Sequence, residues 1–309
     1  MNVLITGVNG FVGKHLAREL IGRGCSVVGV GRDDIPSQEI KEILDNYLPL
    51  DLTDHKAVSS IDTKQIDAVV SLAGLAKVGE SFDDPNFYMK TNVEVLSILG
   101  SKLVAENSRA RVIAVSTGAV YSSSQPMPLT EQSTLVKESS PYVLSKLQME
   151  ESSKELRKRG LDCVIARPFN HTGPGQEPGF LLPDLYQKLL AAEVSNSPIK
   201  VGNLDTRRDY TDVRDVVKAY ANLALAPSLN FDLYNICSGQ SIPGRKILDW
   251  LQAAMGVSLE TVVDEKLIRL TDPLEIFGDN HRLAEDTGWK PIIPINKTIV
   301  DFVKSYPVK

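Results

Sequence analysis

The chain has 309 residues, with 34 Lys and Arg against 39 Asp and Glu, a net charge of −5 and 42% hydrophobic residues. That is enough apolar material for one large or two smaller domains, and the dispersed basic residues argue against an electrostatic track for nucleic acid. The three cysteines, Cys25, Cys163 and Cys237, sit in apolar runs without metal-ligand spacing, the pattern of reduced core thiols in a cytosolic protein with no metal site. Met1 leads directly into Val3-Leu4-Ile5-Thr6, with no basic leader and no apolar run approaching a membrane span. A soluble cytoplasmic protein without a membrane partner is the expectation.

In chain order, short β-branched runs at 3–6, 26–30, 68–72, 112–116 and 162–167 read as strands, and longer periodic segments at 11–23, 85–106 and 142–158 read as helices. Strands alternating with crossover helices predict an α/β fold with a doubly wound parallel sheet, and the near-continuous apolar strands fit a sheet covered on both faces. After Arg167 the pattern loosens into loops rich in Gly and Pro, at 173–179 and around Gly202. The reading is a sheet domain over 1–170 and a smaller region over 171–309, with a strand at 233–237 returning to the sheet. No internal repeat is present.

Gly7-Val8-Asn9-Gly10-Phe11-Val12-Gly13 follows the first strand and opens the first helix. Glycines there let a pyrophosphate approach backbone amides at a positive helix end, so a dinucleotide is the expected ligand. The second strand ends at Gly31-Arg32-Asp33, where an acidic residue binds an unphosphorylated ribose and an arginine accommodates a 2′-phosphate. Arg32 comes first, so NADP(H) is expected ahead of NAD(H). Asp51 and Leu52 are placed to address the adenine, and the small residues of Leu72-Ala73-Gly74 let a cofactor pass close to the strand at 68–72.

Tyr142 and Lys146 lie four apart on a predicted helix and share one face, so the ammonium can favour the ionised phenol. Ser116-Thr117 ends the strand at 112–116, at the sheet edge where ligands collect, and the Thr117 hydroxyl can hold a substrate oxygen while the phenol moves a proton. With these motifs the chain resembles the extended short-chain dehydrogenase/reductase family, in its branch of nucleotide-sugar epimerases, dehydratases and reductases. The resemblance spans nearly the whole length. It rests on the glycine loop, Ser116-Thr117-x-x-Val120-Tyr121, Tyr142-x-x-x-Lys146, Arg167-Pro168-Phe169-Asn170, Gly173-Pro174-Gly175-Gln176, Arg208-Asp209-Tyr210-Thr211-Asp212-Val213 and Thr287-Gly288-Trp289-Lys290-Pro291. It implies that Thr117 polarises a sugar carbonyl, that Tyr142 gives or takes the proton, and that Lys146 binds the nicotinamide ribose and lowers the tyrosine pKa. It further implies that Asn92 holds the active-site backbone and that Phe169 borders the cofactor. A homodimer formed through the helices at 85–106 and 142–158 is also expected from it.

Within the family, 4,6-dehydratases carry a glutamate where this chain has Ala119, and alanine can neither abstract a proton nor protonate a leaving hydroxyl. Reduction of a keto-sugar or epimerisation through a transient ketone remains. The run from Arg167 to Gln176, with Val201-Gly202-Asn203 and Arg208-Asp209-Tyr210, looks closest to the GDP-6-deoxy-D-mannose reductases. This implies a GDP-linked 4-keto-6-deoxyhexose as substrate, with a C4 epimerase holding tightly bound NAD as the alternative and a non-catalytic dinucleotide sensor as a remote third. Arg208 and Arg269 are candidates for the substrate diphosphate, since guanidinium pairs bidentately with phosphate. Asn170, Val201, Asn203 and Asp272 are further candidates on the substrate side, and His171 reads as a loop histidine lining the pocket.

Overall fold

Val3, Leu4 and Ile5 are wholly buried on both faces of their strand, which only a sheet covered on both sides can provide. The computed structural model describes residues 1–195, 197–268 and 273–306. The sheet elements in chain order are β1 (Asn2–Thr6), α1 (Phe11–Gly22), β2 (Ser26–Gly31), β3 (Asn46–Pro49), α2 (His55–Ser59), β4 (Ala68–Ser71), α3 (Pro85–Ala105), β5 (Arg111–Val115), α4 (Pro141–Lys158) and β6 (Cys163–Pro168). There follow β7 (Asn170–Thr172), α5 (Leu181–Ser195), β8 (Ile199–Val201), β9 (Arg207–Asp212), α6 (Val213–Leu225) and β10 (Leu233–Ile236). The remainder is β11 (Ser241–Pro243), α7 (Gly244–Met255), β12 (Thr261–Val263), β13 (Glu275–Ile276), α8 (His281–Thr287) and α9 (Ile295–Ser305).

Seven strands form one parallel sheet in the order β10-β6-β5-β4-β1-β2-β3. This is the doubly wound α/β architecture expected, with the order reversing beside β1. Leu16 and Leu20 of α1 and Val216 and Tyr220 of α6 fill one face, while Leu96 and Leu99 of α3 and Met149 and Leu156 of α4 fill the other. The helices facing the site start where sequence chemistry tells them to. Asp84 caps α3 by accepting from Phe87 N, Ser140 caps α4 by accepting from Val143 N, and each cap is followed by proline, whose missing N–H costs nothing in a first turn. The Ser140 cap sets Tyr142 in that first turn.

A second core joins α5, α7 and α9 through Leu189, Leu251, Ile299 and Phe302. Beside it, β9 pairs with β7, β11 and β13, and β8 pairs with β12. Division at residue 170 is not clean, because α6, β10, Leu283 of α8 and Trp289 all pack into the first core. Asp212 ties the two bodies: it caps α6 and accepts the Thr298 hydroxyl of α9 at 2.7 Å. All three cysteines are free thiols. Among the described residues, no helix is long and apolar enough to cross a membrane, and no cluster of His, Cys, Asp and Glu could hold a metal ion.

Candidate active site

β1 delivers the chain to Gly7, whose φ of +70° strains any other residue. A side chain there would also meet Ala73 at 2.9 Å, and at Gly13 a Cβ would lie 2.4 Å from the Gly7 carbonyl oxygen. Gly10 begins α1 with no side-chain cap, which leaves the amides of the first turn free to face an anion. Two cavities meet at this loop and share Gly7, Gly10, Leu72 and Gly74 as a wall, one of about 270 Å³ toward β2 and one of about 600 Å³ toward β5 and α4. A glycine cradle at the junction of two cavities fits an extended dinucleotide with its pyrophosphate at the centre.

Arg32, Asp33, Asp51 and Leu52 line the smaller cavity. Asn9 lines it too, but its amide is engaged: Nδ2 donates to Asp33 Oδ2 at 2.5 Å, and Oδ1 accepts from Ser37 N at 2.9 Å. Asn9 therefore ties the glycine loop to the segment after β2. The Asp51 carboxylate accepts from the backbone and hydroxyl of Thr53, which hold its pKa below the usual range.

Phe11, Val12, Gly13, Thr117, Tyr142 and Lys146 face the larger cavity together. Thr117 Oγ1 accepts from Ala119 N at 3.2 Å, and the Thr117 hydroxyl favours the ionised Tyr142 phenol. The expectation that Lys146 lowers the tyrosine pKa is not met. Burial raises the Tyr142 pKa, outweighing the Thr117 hydroxyl, while the Lys146 ammonium turns to β5 and donates to the Val115 carbonyl at 2.8 Å. Burial also lowers the Lys146 pKa to about 8, against the opposing charge of Glu150. Asn92 lines neither cavity. Its oxygen accepts from Leu75 N at 2.7 Å and its amide donates to Leu75 O at 3.1 Å and Ser145 Oγ at 2.8 Å, so it braces the segment after β4 against α4 and does not itself face a cofactor.

Ala119, Phe169, Asn170 and His171 also border the larger cavity. His171 stacks with Phe11 at 6.4 Å, and burial lowers its pKa. Val201, Asn203 and Arg208 are not gathered there. Val201 is buried in the second core and its carbonyl accepts from Asp264 N at 2.8 Å, while Asn203 Oδ1 closes a turn by accepting from Asp205 N at 2.9 Å. Arg208 Nη1 donates to the carbonyls of Arg207 and Pro273. Arg269 and Asp272 lie outside the described residues. Among the described residues the wall also holds Lys77, Tyr88, Phe180 and Tyr210. Strand alternation from Arg208 could have pointed to Tyr210, since residues two apart share a face; Tyr88 comes from α3, and Lys77 and Phe180 come from loops with no periodic signal.

The pattern of the NAD dependent epimerase/dehydratase family matches residues 3–237. The chain belongs to that family. It is similar to GDP-6-deoxy-D-mannose reductase of Pseudomonas aeruginosa, 30% identical over 302 residues, 96% of this chain and 94% of the relative. It is also similar to UDP-glucose 4-epimerase of Neisseria gonorrhoeae, 26% identical over 94% of this chain and 93% of the relative. The structure of RMD from Pseudomonas aeruginosa complexed with NADPH superposes with a TM-score of 0.82 at 29% identity, covering 98% of both chains. UDP-glucose 4-epimerase from Thermotoga maritima gives a TM-score of 0.88 at 24% identity, covering 99% of this chain and 98% of that one, a likeness of fold. Membership in the epimerase/dehydratase family makes the protein one of the NAD(P)-dependent nucleotide-sugar epimerases and reductases.

Proposed function

We propose that the protein is a nucleotide-sugar reductase that uses NADPH to reduce the C4 ketone of a GDP-linked 4-keto-6-deoxyhexose, giving GDP-D-rhamnose from GDP-4-keto-6-deoxy-D-mannose. The observation that carries the chemistry is the placement of Thr117, Tyr142 and Lys146 on one cavity that shares its wall with the glycine loop, with Ala119 beside them where dehydration would require an acid. The substrate class is supported by the full-length similarity to GDP-6-deoxy-D-mannose reductase. The glycine loop would hold the pyrophosphate, Arg32 the adenosine end, and Lys146 the ribose near the reactive centre. When bound, the dinucleotide supplies hydride to the sugar carbon.

The chain's own residues handle the oxygen. The Thr117 hydroxyl donates to the carbonyl oxygen and polarises it, and Tyr142 gives its phenolic proton to the alkoxide as it develops. Burial raises the Tyr142 pKa, and a protonated phenol is what the reducing direction calls on. The second reading, a C4 epimerase, keeps the support of the similarity to UDP-glucose 4-epimerase.

Mixing purified protein, NADPH and GDP-4-keto-6-deoxy-D-mannose while following reduced-nicotinamide absorbance tests the reductase reading, and stoichiometric oxidation is expected. Protein that retains dinucleotide through purification and interconverts epimers without added reductant would instead make it an epimerase. The assembly is proposed to be a homodimer through the outer faces of α3 and α4; a monomeric mass by light scattering at micromolar concentration would refute that.

A further inference from the structure

Behind the wall that carries Thr117, Tyr142 and Lys146 lies an ion pair that touches neither cavity. Glu150 stands one turn beyond Lys146 on α4 and is 1% exposed, and Arg167 in β6 is 2% exposed. Arg167 donates from Nε to Oε1 at 2.8 Å and from Nη2 to Oε2 at 2.6 Å, and the Ser116 hydroxyl donates to Oε1 at 2.5 Å. The guanidinium also sits over the Tyr121 ring, 4.7 Å from its centroid, and the Tyr121 hydroxyl donates to Asn235 in β10 at 2.7 Å. Such a pair is a poor way to gain stability. Replacing both partners by apolar groups is often neutral or better, whereas removing one strands a buried charge.

Its placement gives it another use. Ser116 immediately precedes Thr117, so its hydroxyl fastens the end of β5 to the helix that carries Tyr142. The carboxylate is also the charge that favours the Lys146 ammonium against burial. Around Lys146, α4 contributes Tyr142 and Glu150, β5 the Val115 carbonyl, and α3 the Asn92 oxygen beside Gly74, with Tyr88 acting on Tyr142. Arg167 of β6 reaches this group through Glu150. We infer that Glu150 is a positioning residue: it sets the charge of Lys146 and, through Ser116, the placement of Thr117 against Tyr142, while Arg167 holds it in place. This rests on the proposed roles of Thr117, Tyr142 and Lys146.

The test reads Lys146 directly, by pH titration of its side-chain Cε resonance in protein carrying carbon-13 lysine, with no sugar or dinucleotide present. Its outcome is therefore independent of the substrate the enzyme takes. The wild-type midpoint is expected at about 8, and Glu150→Gln is expected to lower it by about one pH unit or more. Glu150→Leu combined with Arg167→Met is expected to lower it as well, because Glu150 and not Arg167 is the charge that acts on Lys146, and Glu150→Asp leaves it near wild type. In turnover, the alkaline limb of the kcat profile moves down with the midpoint in Glu150→Gln. Ser116→Ala, which keeps every charge, lowers kcat about ten-fold through misplacement alone, with KM and the Lys146 midpoint unchanged. A Glu150→Gln midpoint equal to wild type overturns the charge role, and wild-type kcat in Ser116→Ala overturns the placement role. Should Glu150→Gln not fold, the paired apolar variant decides the charge role, because an unmoved midpoint there overturns it equally.

Discussion

The two sides of the groove are built differently. On the dinucleotide side, β1, β2, β4 and β5 run parallel in one sheet, so each strand delivers its carboxyl-end residues to the same edge. Gly7, Arg32, Leu72 and Thr117 converge because the topology leaves them no other place. On the opposite side, β9 is joined by β7, β11 and β13 from three separate stretches of chain, and loop residues such as Phe180 complete the wall. A site made of strand ends follows from local pattern and one topological rule. A site made of loops depends on pairings between distant segments that no spacing announces.

The sharpest way to break this comparison is to disable the strand-and-helix side. Tyr142→Phe removes the proton donor and is expected to lower kcat about 10³-fold, with dinucleotide affinity within about two-fold of wild type by fluorescence titration. Retention of most turnover would move the reactive centre elsewhere. Next comes Gly13→Ala, whose Cβ would fall 2.4 Å from the Gly7 carbonyl oxygen; the loop must shift, and dinucleotide affinity should fall about 100-fold, measured by the same titration. Unchanged affinity would detach the glycine loop from dinucleotide binding.

Lys146→Met separates function from stability. The Lys146 pKa is lowered from 10.5 to about 8 in the fold, so the unfolded chain holds its proton more tightly and the lysine costs stability. That cost is complete below about pH 8 and vanishes as pH rises through 10.5. Allowing for partial exposure to the groove, the variant should be more stable than wild type by about 2 kcal/mol at neutral pH, with the difference closing across that window in urea melts. A constant difference at all pH values would show that packing, not charge, is responsible. The smallest effect belongs to the loop side. Val201→Ala should cost about 1 kcal/mol or slightly more of stability and leave KM for the nucleotide sugar unchanged, because Val201 packs in the second core. A raised KM would return this residue to the substrate wall.

The sheet was legible from residues alone: the runs at 26–30 and 112–116 became β2 and β5 with single-residue shifts at their ends. So was the convergence of Gly7, Thr117, Tyr142 and Lys146 on one groove, since α4 is held by its Ser140 cap and the strand ends share one edge. Two readings failed for physical reasons. Proximity on a helix face did not make Lys146 the group that tunes Tyr142, because four bonds of side-chain freedom let the ammonium reach the Val115 carbonyl instead. Val201 sits beside a glycine, which reads as an open loop, yet β8 pairs with β12 and draws it into the second core, while Asn203 closes an exposed turn. Tyr210, by contrast, carried its signal in the alternation of β9 and was passed over for the more charged Arg208.

The edge strand β10 also has a bearing on how the protein comes into being. It reaches β6 only after the chain has left the sheet, built β7 to β9 and returned through α6. Until then a ribosome-bound nascent chain exposes the unpaired edge of β6 and the apolar strip that α6 later covers on α1. Such an open edge is a template for wrong pairing. A fragment ending near residue 170 is accordingly expected to aggregate, and the enzyme should become protease-resistant in one late step, once residues beyond β10 have emerged.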